Sequence, residues 1–78
     1  MQNEQIISVI QEGLQVEDGR VTMESDMSNT SEWDSLGHLG ILASLDTHFD
    51  GKIGEIREMA TVKSVKDILK ILHDRELI

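Results

Sequence analysis

The apolar positions of the chain fall into three runs with helical spacing. In the first, Ile6, Ile10 and Leu14 recur every fourth residue and line one face of a helix, with Ile7 and Val9 beside them. Asn3 is a suitable N-cap, Glu4 falls in the electropositive first turn, and Gly13 marks the expected end to within a turn. The second run holds Leu36, Leu39, Ile41, Leu42, Ala43, Leu45 and Phe49. These positions point almost all round a helix, which predicts a central, buried one. Ser31 with an acid three residues on at Asp34, and Asp34 and Ser35 themselves, supply capping chemistry at its start, and Gly51 supplies the stop. The third run, Val65, Ile68, Leu69 and Leu72, predicts a helix over about 64–74. Ser64 and Asp67 have capping-box spacing there, and Lys70 and Arg75 suit the electronegative end. Between residues 54 and 61, Ile56 and Met59 predict only a short helical turn, and the polar stretch 24–34 reads as a long surface loop. The expected fold class is all-α: a small four-helix bundle of three main helices and one short one, with a long loop before the central helix.

Composition narrows the picture. A chain of 78 residues is one domain, 1–78, and buries only about 60% of the surface its unfolded form exposes. Such a thin core argues against an enclosed active site. Phe49 and Trp33 are the only aromatic residues, proline is absent, and the wealth of Leu, Ile, Glu and Lys favours helix over sheet. The absence of cysteine excludes disulfides, thiolate metal sites and thiol nucleophiles. Fifteen acidic residues against seven basic ones give a net charge of −8, which repels nucleic acid and anionic membranes and calls for a partner with a basic patch. Acid concentrates in residues 1–34, where Arg20 is the one base. No apolar run is long enough for a membrane span and no secretory signal is visible, so the expected setting is the cytoplasm.

Few residues carry candidate chemistry. Ser35 stands at the head of the central helix, where it serves either as a capping serine or as a site of modification, since a phosphate there meets free backbone N–H groups. Catalysis by Ser35 is not expected. His38 lies within reach one turn on, but the order Trp33-Asp34-Ser35-Leu36-Gly37-His38 lacks the Gly-x-Ser-x-Gly elbow, an orienting group and an oxyanion hole. Asp46, His48, Asp50, Gly51 and Ile53 resemble part of an EF-hand loop, yet Arg57 stands where the bidentate Glu is needed, so no calcium site is expected. His38, His48 and His73 have no metal spacing and read as surface histidines. Trp33 reads as a loop anchor on the core, and Met59 as core filler.

The segment Trp33-Asp34-Ser35-Leu36-Gly37-His38-Leu39 resembles the Asp-Ser-Leu attachment motif of acyl carrier proteins. The resemblance extends along the chain: its length, its acidity, the motif at the head of the most apolar helix, Phe49 with Gly51 and Ile53 after it, and the Thr61-Val62 pair before the last helix. It implies a four-helix bundle with no enzymatic activity of its own. By the same resemblance Ser35 carries 4′-phosphopantetheine through a phosphodiester, and the thiol of that arm holds an acyl or aminoacyl group. A phosphopantetheinyl transferase using coenzyme A and magnesium attaches the arm, and acyl-loading and acyl-accepting enzymes with basic or apolar docking surfaces are the further partners. The implied recognition surface is Asp34, Leu36, Gly37, His38, Leu39 and Gly40, and the implied acyl cleft is Leu45, Ile53, Ile56 and Met59. Residues 36–45 lack the acids that many fatty-acid carriers place after the serine, which points to a specialised pathway and a nearly bare helix face at Gly37, His38 and Gly40. The alternative of another class is an unmodified acidic module that binds a basic protein surface.

Overall fold

The computed structural model describes residues 2–78, in which three α-helices and two 3₁₀ turns follow one another without a strand among the described residues. Helix α1 spans Asn3–Leu14, α2 Ser35–His48 and α3 Val65–Asp74; the 3₁₀ turns are Ile53–Glu55 and Arg57–Ala60. The fold class is all-α, as expected.

Each helix start is fixed by a side chain. Before α1 the capping residue is Gln2, not Asn3; its backbone N–H donates to Gln5 Oε1 at 2.7 Å. Before α2, Asp34 Oδ1 accepts from Gly37 N–H at 2.8 Å, and before α3, Ser64 Oγ accepts from Asp67 N–H at 3.1 Å. Each contact satisfies a donor that the helix itself leaves unpaired. Helix α1 ends within a turn of Gly13, as expected: it runs to Leu14, and Gln15, not the glycine, takes the left-handed conformation at φ 59° that closes it. Asp50 and Gly51, at φ 55° and 82°, turn the chain after α2.

The expected short helix at 54–61 is instead the pair of 3₁₀ turns, separated by Ile56 in an extended conformation. Ile53 in the first turn, Ile56 between the two and Met59 in the second are all buried.

The stretch 24–34 is a loop, but one bound to the body of the protein. Ser25, Thr30 and Trp33 are buried. Met27 N–H donates to Lys63 O at 2.9 Å and Val65 N–H to Ser25 O at 3.1 Å, which lays the loop along the chain entering α3. Upstream, the buried amide oxygen of Gln11 accepts from Gly19 N–H at 2.8 Å and Val21 N–H at 3.2 Å, so α1 holds the start of the same connection.

The core gathers Ile6, Ile10 and Leu14 of α1, Ile41 and Leu45 of α2, Met59, and Val65, Ile68 and Leu72 of α3. Helix α2 is not wrapped in protein on most sides. His38, Ile41 and Leu45 are buried, whereas Leu36 is 78% and Leu39 62% exposed. The inward face is set by Gly13 and Gly40, where α1 and α2 cross. A methyl group on Gly13 would lie 2.7 Å from Gly40 O and from Ile41 Cα, and one on Gly40 would strike Gly13 O. No helix of the described residues is long and apolar enough to cross a membrane.

Candidate functional site

The first turn of α2 is where the sequence places its candidate chemistry, and four contacts hold that turn and the loop before it. Trp33, 1% exposed, roots the preceding loop in the core. Asp34 caps the helix through Gly37 N–H. Gly37 itself packs on the loop, since a side chain there would collide with Glu32 O. Arg20 Nη2 donates to Glu32 Oε1 at 2.6 Å and fastens the loop from outside. That hydrogen bond, with a further one from the Glu32 backbone, holds the Glu32 carboxyl below the usual carboxylate range. Ser35 is thus an exposed residue on a fixed support.

His38 departs from its expected place on the surface. It is 7% exposed and both ring nitrogens are engaged. Trp33 Nε1–H donates to Nδ1 at 3.1 Å, and Nε2 meets Met59 O at 2.8 Å. The two rings lie 12° from parallel with centroids 6.3 Å apart, and the hydrogen bond joins their edges. An indole N–H only donates, so Nδ1 must accept and Nε2 must carry the proton given to Met59 O. Both nitrogens are thus engaged away from Ser35.

Two open grooves border α2. The first, about 420 Å³, runs from Ser35 past His38, Leu39 and Leu42 to Val62 and Lys63. The second, about 350 Å³, lies between Leu42 and the 3₁₀ turns and is lined by Ile53, Ile56 and Met59. Leu42 and Ala60 border both. Three of the four expected cleft residues therefore meet at the second groove. Leu45 does not join them; it is fully buried and borders neither groove.

The expected recognition surface divides. Asp34, Leu36 and Leu39 are exposed around Ser35. Gly37, His38 and Gly40 are not a bare face. Gly37 lies on Glu32 O, Gly40 on Gly13 O, and the His38 ring is buried. The two glycines allow close approach of backbone to backbone inside the protein, which is what a residue without a Cβ uniquely permits. Sequence reasoning missed Met27, Leu42 and Lys63 as walls of the Ser35 groove. Met27 and Lys63 are brought there by the loop pairing with the segment before α3, a contact that no local pattern signals. Asp46, the first residue of the EF-hand-like stretch, braces the chain with Oδ1 accepting from Gly54 N–H at 3.0 Å.

No family model matches the chain, and neither curated proteins nor solved structures give a match.

Proposed function

We propose that the chain is an acyl carrier protein. In this reading the Ser35 hydroxyl takes 4′-phosphopantetheine as a phosphodiester, and the thiol of that arm carries an acyl or aminoacyl group as a thioester. The observation that carries it is the placement of Ser35: exposed, on the first residue of α2, at the end of a groove with largely apolar walls.

The residues present fit such a group. A phosphate on Ser35 would sit at the start of a fourteen-residue helix, where backbone N–H groups and the helix dipole favour an anion. Asp34 beside it has its carboxylate turned to Gly37 N–H. Leu39, Leu42 and Val62 would flank the arm, with Lys63 adding a cation to the same groove. The arm supplies a thiol to a protein without cysteine. The two 3₁₀ turns would take the place of the short helix in the family's four-helix bundle. Transfer chemistry would belong to partners, a phosphopantetheinyl transferase and the loading and accepting enzymes, because His38 is committed elsewhere. Their docking surface would be Asp34, Leu36 and Leu39. Residues 36–45 contain no carboxylate, which favours partners of a specialised pathway over those of general fatty-acid synthesis.

The test is intact mass after incubation with coenzyme A, magnesium and a broad-specificity phosphopantetheinyl transferase. The expected result is one phosphopantetheine on the natural protein and none on Ser35→Ala. No gain on the natural protein, or a gain that survives the substitution, refutes the reading.

A further inference from the structure

We propose that His38 is a positioning residue that latches the second 3₁₀ turn onto α2 and holds closed the seam between them beside Ser35. Its purpose rests on the carrier reading; its geometry does not.

The latch is built from one tautomer. Trp33 Nε1–H occupies Nδ1, so the ring proton sits on Nε2 and is donated to Met59 O. The ring thereby joins three segments: the buried loop anchor, the first turns of α2, and the turn Arg57–Ala60. The turn has little cohesion of its own, since 3₁₀ pieces are short and their hydrogen bonds poorly aligned. Its other tether leads away from α2. Arg75 Nη2 donates to both Glu58 carboxylate oxygens at 3.1 Å and binds the turn to the end of α3. Among the described residues, the bond from His38 is the one side-chain hydrogen bond that joins α2 to this turn. Displacing the turn from α2 must stretch it and leave a buried carbonyl and a buried N–H without partners, which opposes opening. Met59 and Ala60 of the same turn border the second groove, and Ala60 also borders the first. The latch therefore acts on the wall shared by both.

The test uses the unmodified full chain, so it stands whether or not Ser35 accepts an arm. Nitrogen-15 NMR of the neutral imidazole should show the proton on Nε2 and an unprotonated, hydrogen-bonded Nδ1. Hydrogen exchange is then compared in the natural protein, His38→Leu and His38→Gln. In His38→Leu the amides of Met59 and Thr61 should exchange about tenfold faster, the effect of losing one buried hydrogen bond. Exchange at Ile10 in α1 should accelerate no more than the measured loss of global stability requires. Glutamine offers one acceptor and one donor and should restore most of the protection. A proton on Nδ1, unchanged exchange at Met59 and Thr61, or no recovery in His38→Gln would each overturn the latch. If His38→Leu does not fold, the tautomer and the His38→Gln protein decide.

Discussion

Gly13 of α1 and Gly40 of α2 meet backbone against backbone, each where a side chain on one would strike the main chain of the other. The contact settles how α2 is rotated. With Gly40 and Ile41 turned to α1, His38 and Leu45 fall inside, and Leu36 and Leu39 fall outside with Ser35. Glycine within a helix costs about 1 kcal/mol relative to alanine. Here that cost is offset by an interhelical approach no other residue allows.

Gly40→Ala is therefore expected to destabilise the protein despite the better helix propensity of alanine. Its methyl would meet Gly13 O, which is backbone and cannot swing aside. Overpacking of this kind costs about 1–3 kcal/mol, and in a domain of this size each kcal/mol lowers Tm by roughly 4–8 °C. Gly37→Ala should behave alike against Glu32 O. Thermal unfolding followed by circular dichroism checks this, and a Tm at or above that of the natural protein would show that the helices can part at no cost.

The same contact marks the limit of what the sequence discloses. All three helices are legible because their apolar spacing and the caps Asp34 and Ser64 are local signals. The place of Ser35 at the head of α2 is legible because the cap before it is a local signal. Gly37 and Gly40 leave two readings open, close approach or a loose first turn, since a glycine that meets a neighbouring segment looks the same in sequence as one that loosens its own helix; the structure shows the close approach. His38 is missed for a related reason. A histidine among apolar residues reads as surface until a donor, Trp33 Nε1–H, and an acceptor, Met59 O, are found for it, the second being 21 residues away. The all-round apolarity of α2 mixes core residues such as Ile41 and Leu45 with the bare pair Leu36 and Leu39, and periodicity alone does not separate them.

Asp34 should matter for stability, and Ser35 for the modification that the carrier reading assigns to it. Asp34 is the cap, so Asp34→Ala should cost about 0.5–2 kcal/mol of stability. Ser35→Ala removes an exposed hydroxyl at the next position and should shift stability by less than about 0.5 kcal/mol while, on the carrier reading, abolishing modification. Urea unfolding of both variants, set beside their mass spectra, tests the division of roles. Equal destabilisation by the two would mean that Ser35 shares in the capping.

Acid should weaken the fold through surface carboxylates. The Glu58 carboxyl lies below its ordinary range because of its own backbone N–H first and Arg75 second; Glu32 does so chiefly through the hydrogen bond from Arg20, and Asp26 through the Ser28 hydroxyl. A carboxyl lowered in the folded state binds fewer protons there than in the unfolded chain. Its contribution is complete above the ordinary value, near pH 4, and is lost as pH falls through the lowered one. Unfolding midpoints measured from pH 7 down to about 3 should therefore fall chiefly below about pH 4. Arg75→Gln should flatten part of that fall, and added salt should shrink it, as these groups are exposed. An unchanged profile in Arg75→Gln would show that the backbone bond alone holds the Glu58 carboxyl down.

The leucines of α2 should separate docking from folding. Leu36 and Leu39, three residues apart and largely bare, flank the exposed Ser35, whereas Leu45 on the same helix is fully buried. Burial makes Leu45→Ala expensive, about 2–5 kcal/mol, a large fraction of the stability of so small a domain. Leu36→Ala and Leu39→Ala take almost nothing from the core and should leave the unfolding midpoint nearly unchanged. Their effect should appear where a partner covers the face. On the carrier reading, a transferase acting on Ser35 would approach over this surface, and truncating an apolar side chain that becomes buried in a complex weakens binding by about 1 kcal/mol or more. The expected result is a several-fold rise in KM for modification of the double variant Leu36→Ala/Leu39→Ala, with kcat little altered and helical content intact. Salt should change the rate less than it would for a docking surface built on carboxylates, because Asp34 is the one acid at this turn and residues 36–45 have none. A double variant modified as readily as the natural protein would place the docking surface elsewhere, on the acidic loop before α2, and neutralising Glu24, Glu32 and Asp34 would then be the change that raises KM.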